Sequence, residues 1–396
     1  MMNRKLNTIY GELCLCSVFK GVTEKALFKS FERYCLIPEN EPFEKRKAYA
    51  AFVAEIYEHG GCLTESIKKH VFENENVLVK AVAANKNPDN NVKKAAEREL
   101  SAFALFGALT RKDFAEDMQV NEELLPDFSS FNADMDALYA ERLCNLHKYG
   151  YGIFSSTPMF RLSDNKEIEP IVSADKISMA HFIGYEAERK KIIDNTVAFI
   201  EGRPAANALL CGDAGTGKSS TVKAVANGFF DNGVRLIELR KDQLRYLPMV
   251  MAKISGNPLK FIIFIDDLSF NQNNYDFSML KAALEGSASA TADNAVIYAT
   301  SNRRHIVKES FGDRDGDDVH RNDTLQETLS LSERFGLTVL FSKPDKKLYL
   351  AIVRELAKRH GIQMEQSQLD LQAEAFALRK GSRSARCAEQ FIDSLL

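Results

Sequence analysis

The sequence predicts an α/β fold: a doubly wound parallel sheet with an all-helical domain before it and a small helical one after it. Three observations carry this. An apolar strand runs straight into a glycine-rich turn at Leu209-Leu210-Cys211-Gly212-Asp213-Ala214-Gly215-Thr216-Gly217-Lys218-Ser219. An unbroken apolar run, Phe261-Ile262-Ile263-Phe264-Ile265, ends in the carboxylates Asp266 and Asp267, as a central parallel strand does when it delivers acidic groups to the carboxyl edge of a sheet. The first third of the chain has apolar residues at helical spacing and few β-branched runs.

Taken in order, residues 1–147 read as a helical domain with helices over 23–34, 42–59, 63–72 and 89–109. It has no convincing repeat, no motif and no paired catalytic groups, and its aromatic positions read as core. A polar stretch, 155–173, broken by Pro158 and Pro170, reads as part of a linker over 148–175. The sheet domain is then expected over 176–342 and the C-terminal helical domain over 343–396.

Within the sheet domain, 207–211 reads as a buried strand and 219–230 as a helix, with the pattern Gly-x-x-x-x-Gly-Lys-Ser between them. This is a phosphate-binding loop. Its glycines let backbone N–H groups turn inward around the β- and γ-phosphates, Lys218 adds positive charge, and the Ser219 hydroxyl can ligate Mg²⁺. The nucleotide-binding stretch is therefore Gly212, Asp213, Ala214, Gly215, Thr216, Gly217, Lys218, Ser219 and Ser220. Asp266 is placed to hold Mg²⁺ through its water shell and Asp267 to orient the attacking water. A further buried strand, 294–302, ends in Thr300-Ser301-Asn302, whose amide can hold the lytic water or the γ-phosphate. Arg334 stands just before a last strand, 338–342, suited to reach a neighbouring subunit's γ-phosphate.

Strand, phosphate loop, acidic strand end, polar strand end and arginine, in that order, resemble the AAA+ ATPases. The match is more specific over His181-Phe182-Ile183-Gly184-Tyr185-Glu186, Asn195-Thr196, Phe264 through Phe270, Leu284-Glu285-Gly286, Tyr298 through His305 and Leu329 through Leu337. These segments are similar to the bacterial AAA-associated family known as domain of unknown function 815, over roughly residue 149 to the C-terminus. The resemblance implies that residues 212–219 are the Walker A loop, Asp266 and Asp267 Walker B, Asn302 sensor 1 and Arg334 the arginine finger. Most AAA+ enzymes have Glu at the place of Asp267, which puts the turnover rate in question more than binding; Glu285 is a secondary candidate for the general base. The resemblance also makes the C-terminal domain a lid, opened by Pro344-Asp345, with Leu348, Ile352, Val353 and Leu356 on one apolar face. Its sensor 2 arginine is Arg386, with Arg383 as the alternate. Ile183 and Gly184 are expected against the adenine, where Tyr151, Ile153 and Phe154 could add contacts.

Composition sets limits. A chain of 396 residues with 45% apolar content holds two or three domains with ample cores. No apolar stretch approaches a membrane span and residues 1–20 lack the features of a signal peptide, so the cytoplasm is the expected address. Seven scattered cysteines argue for reduced thiols, and no zinc spacing is present. The net charge of −3 gives no global attraction to nucleic acid; the basic spots Arg303-Arg304-His305, Arg240-Lys241 and Arg379-Lys380 lie beside the nucleotide machinery, so nucleic-acid binding is left open and not favoured. A charged insertion, 303–324, could touch a substrate or a neighbouring subunit. The expectation is a Mg-ATP hydrolase, ATP and Mg²⁺ its cofactors, that moves an unidentified protein partner and forms a homo-oligomer with Arg334 acting in trans. The runner-up is a slowly hydrolysing, ATP-controlled binding switch of helicase-loader type; a kinase ranks far lower.

Overall fold

Aromatic side chains at helical spacing build the first of two units, Met1–Ser156 and Thr157–Leu396, found in a computed structural model of the chain. The structure describes residues 4–171, 177–268, 280, 282, 284, 292–302 and 334–396. In the N-terminal unit the helices are α1 (Arg4–Leu13), α2 (Lys20–Thr23), α3 (Ala26–Leu36), α4 (Pro42–Glu58), α5 (Leu63–Glu73), α6 (Val77–Ala83), α7 (Asn90–Gly107), α8 (Arg111–Met118), α9 (Met135–Cys144) and α10 (Leu146–Tyr149). Phe31, Phe52, Phe106 and Phe114 meet in its centre, Phe31 and Phe106 with ring centroids 4.5 Å apart. Most of its aromatic positions are thus core, as the spacing predicts, while Phe43, Tyr57, Phe131 and Tyr149 are exposed.

Two polar features of this core have measurable consequences. Glu99 on α7 is buried, and its carboxylate accepts hydrogen bonds from the backbone N–H groups of Ser17, Val18 and Phe19 at 2.8–3.1 Å. Removing it leaves those donors without a partner, so Glu99→Ala should cost about 2–4 kcal/mol of unfolding free energy in denaturant titration. His70 on α5 has a buried Nε2 without a hydrogen-bond partner. Burial, then the His59 ring 4.9 Å away, then Lys25 and Lys69, hold its imidazole down at about 4. The unfolded chain takes up this proton near 6.5 and the folded chain only near 4. Stability should therefore fall as pH drops through that window, and His70→Gln should flatten the fall in a series of melting curves.

In the second unit the strands are β1 (Met159–Leu162), β2 (Ile168–Pro170), β3 (Ala208–Gly212), β4 (Val234–Leu239), β5 (Lys260–Ile265), β6 (Ala295–Ser301) and β7 (Leu337–Phe341), the central ones mostly apolar. They make one sheet in the order β2-β1-β4-β5-β6-β3-β7, parallel except for the antiparallel β1–β2 pair. Ile262 and Phe264 of β5 face a core shared with α11 (Glu186–Ile200) and α12 (Lys218–Gly228), while the alternate residues Phe261, Ile263 and Ile265 are equally buried. Both faces of the sheet are therefore covered, as a doubly wound parallel sheet requires. The strands β1 and β2 fall in 148–175, the stretch expected to be a linker.

The chain leaves β3 toward β4 on one side and returns from β6 to β7 on the other. The crevice at the carboxyl end of β3 is thus the topological switch point, where open α/β sheets hold ligands. After α13 (Leu247–Ile254) and the last strands come α14 (Lys346–Arg359), α15 (Gln366–Lys380) and α16 (Ala385–Asp393), which pack on a core of their own around Tyr349, Val353, Ala373, Ala388 and Phe391. Asp345 caps α14 by accepting from the Leu348 N–H at 2.7 Å, with Pro344 just before the cap.

Candidate functional site

The turn after β3 is built on glycine where backbone crowding demands it. A Cβ on Gly212 would lie 2.0 Å from the carbonyl oxygen of Phe341 on β7, and Gly215 and Gly217 have φ of +75° and +85°. The loop then enters α12 at Lys218. The Lys218 ammonium, 5% exposed, donates to the carbonyls of Gly212 (3.0 Å) and Asp213 (2.6 Å) and to Asn302 Oδ1 (3.0 Å). Burial lowers its pKa from the ordinary lysine value, against the pull of Asp213 and Asp266.

At the end of β5, Asp266 Oδ1 accepts from Ser219 Oγ and Thr300 Oγ1, each at 2.6 Å, and from the Asp267 N–H at 3.1 Å. Asp267 adopts φ of +52°, in the left-handed region that non-glycine residues seldom occupy, and its N–H also reaches Thr300 Oγ1 at 2.9 Å. Its carboxylate accepts from Asn302 Nδ2 at 2.8 Å and from Lys241 Nζ at 3.2 Å. Three strand ends, those of β3, β5 and β6, thus bring a cation, two carboxylates, two hydroxyls and an amide to one place.

These groups line a cavity of about 290 Å³. Residues 214–220, Asp266, Asp267, Thr300 and Asn302 form its polar end; Phe182 and Ile183, with Ile352 and Leu356 of α14, form apolar wall; Arg386 of α16 also faces it. The helical part and the loop touch directly: the Arg386 N–H lies 3.4 Å from Gly215 O, and a Cβ on Gly215 would meet Ser384 Oγ at 3.1 Å. Gly184 has φ of +73°, and a Cβ there would strike Leu348 at 2.3 Å.

A family model described as "Protein of unknown function (DUF815)" matches residues 155–396, more than half of the chain. The chain belongs to this family. The match begins at residue 155 and takes in the whole of the second unit, Thr157–Leu396. No curated protein matches the chain. Among solved structures, the Holliday junction branch migration motor RuvB of Thermotoga maritima is similar at 13% identity and a TM-score of 0.35, covering 55% of this chain and 72% of that one. A variant of the same RuvB is similar at 15% identity and a TM-score of 0.35, covering 55% and 73%.

Of the residues that the motifs single out, the DUF815 region brings Ile183, Ala214 to Ser220, Asp266, Asp267, Asn302 and Arg386 to the cavity. Gly212 and Asp213 act one step back, through the carbonyls that hold Lys218. The two C-terminal arginines separate: Arg383 is paired with Glu374 at 2.8 and 3.0 Å, whereas Arg386 faces the cavity. Arg334, directly before β7, is not among the residues lining this cavity. Tyr151, Ile153 and Phe154 belong to the N-terminal unit. Glu285 and the insertion 303–324 lie outside the described residues. Among the described residues no helix is long and apolar enough to cross a membrane.

Two members of the DUF815 site, Thr300 and Arg189, were not singled out in the sequence as site residues; Lys241 was legible only as a basic spot and Tyr185 only as part of the segment expected against the base. Thr300 was visible only as a small polar strand end, though its place two residues before Asn302 is the signal that its side chain shares that edge. Lys241 follows β4, a strand that the sequence reading passed over. Tyr185 and Arg189 sit around the start of α11, where the Tyr185 hydroxyl donates to Ser342 O at 2.5 Å and ties the segment to the end of β7.

Proposed function

We propose that this protein is an ATPase of AAA+ type that binds Mg-ATP between the carboxyl edge of its sheet and its C-terminal helices, and uses hydrolysis to move a macromolecular partner. The observation that carries this is the linked pair of contacts, Ser219 to Asp266 and Lys218 to Asn302 to Asp267, at the switch point of the sheet. In this reading the N–H groups of residues 213–219 and the Lys218 ammonium hold the β- and γ-phosphates, and Ile183 and Gly184 lie against the base. Arg386 reaches the phosphates from the lid. Ser219 and Asp266 converge as hard oxygen donors and suit Mg²⁺, which would neutralise phosphate charge when bound. Asp267 and Asn302, already hydrogen-bonded to each other, orient the attacking water.

The lid, residues 343–396, touches the phosphate loop at Gly215, so a change at the γ-phosphate would alter its angle to the core. The N-terminal helical domain, residues 1–147, would hold the partner, which we take to be a protein, in the cytoplasm, in preference to nucleic acid. Arg334 would act on the neighbouring copy in a homo-oligomer.

One observation favours the slower, switch-like reading. The Asp267 carboxylate is engaged by both Asn302 and Lys241, and as an aspartate it is shorter than the usual glutamate. Radiolabelled ATP decides among the classes: free phosphate at steady turnover supports the ATPase, tight retention with slow release the switch, and label on an acceptor would mean a kinase.

A further inference from the structure

Arg189, in the first turns of α11, is 6% exposed and lines the cavity. Its guanidinium carbon lies 4.7 Å from the centroid of the Phe182 ring. Among the described residues its side chain makes no hydrogen bond and no ion pair. Burial lowers its pKa, and Glu186, Glu188 and Tyr185 only partly offset this from a distance. Its N–H donors open on the cavity, and stacking on an aromatic face satisfies none of them. A guanidinium has five N–H donors and no acceptor, so its missing partner must present acceptors.

Its position says which part of a nucleotide that is. The phosphate end of the cavity already holds Lys218, Arg386 and the loop N–H groups. Arg189 instead stacks on Phe182, the chain neighbour of Ile183, which packs with Leu356 against the apolar core of the C-terminal helices. The Phe182 ring edge lies 3.9 Å from where a Cβ on Gly217 would be, close against the start of α12. Resting on the nucleotide-binding reading above, we propose that Arg189 donates hydrogen bonds to the nucleoside of the bound nucleotide, to ring nitrogens of the base or oxygens of the ribose, and so makes the site select a nucleotide over a bare phosphate chain.

The test compares ATP with inorganic tripolyphosphate, which carries the phosphate charge and no nucleoside, by titration calorimetry on the full chain. Arg189→Met should weaken ATP by about tenfold or more and leave tripolyphosphate unchanged. Arg189→Lys, which keeps the charge but loses the planar fork, should still show a severalfold loss for ATP alone. Should Arg189→Met fail to fold by circular dichroism, the lysine variant carries the comparison. Equal losses for both ligands would assign the arginine to the phosphates, and unchanged ATP affinity would leave it structural; either overturns the proposal. Wild-type protein that binds neither ligand would instead remove the nucleotide site itself, a failure separate from loss of selectivity.

Discussion

Lys218→Ala should abolish ATP binding, whereas Asp267→Asn should keep it and lose turnover. The lysine ammonium is held by two loop carbonyls and Asn302, all neutral acceptors, so it remains free to meet phosphate charge. Its removal takes away a buried cation and should weaken ATP by about 100-fold or more. The hydrogen bonds of the Asp267 carboxylate go to Asn302 and Lys241. Its amide isostere still accepts from Asn302 but cannot take a proton from water, so turnover should fall by about 10²–10⁴ with affinity nearly unchanged. Fluorescent-nucleotide titration beside a phosphate-release assay separates the two. Normal hydrolysis by Asp267→Asn would show that another group is the base, and Glu285 becomes the next to mutate.

Arg334→Ala should bind ATP as wild type does yet hydrolyse it about 10³-fold more slowly, if the arginine is delivered across an interface. Wild-type activity per subunit should then rise with protein concentration. Mixing two inactive proteins gives the sharper measurement: Lys218→Ala carries a good arginine, and Arg334→Ala carries a good phosphate loop. Recovered phosphate release in the mixture establishes sharing between copies. A rate independent of concentration, with no rescue on mixing, would mean that each chain works alone.

The parts of the site that could be read from sequence are those whose chemistry is local. Residues 212–219 follow one another along the chain, and their glycines are needed by the backbone of that same turn. Asp266, Asp267 and Asn302 were readable because an apolar strand aims its last residues at the edge of the sheet. Thr300 and Arg189 were not, because their places come from pairing across strands and from burial, and Lys241 showed only as a basic spot. Arg386 was the sequence choice with Arg383 as the alternate, and the structure adds that Glu374 holds Arg383. In the fold, β4 escaped notice because Arg235 interrupts its apolar pattern; that arginine is in fact buried, donating to Phe230 O and Val234 O with Phe230 stacked at 4.0 Å. The strands β1 and β2 escaped because Pro158 precedes β1 and Pro170 ends β2, and a proline at the end of a peripheral strand gives up no ladder bond.

That peripheral strand bears on how copies of the chain can meet. An open sheet invites another to extend it, and repeated extension ends in fibrils. Here the β2 margin is three residues long and finishes in Pro170, which has no N–H to offer, with Glu169 across from Arg161 on the hairpin. Strand-by-strand growth has little to build on at that margin. Assembly can then proceed through side-chain surfaces that close on a finite number of copies, and a protein whose activity is expected to depend on self-association is protected there from runaway polymerisation.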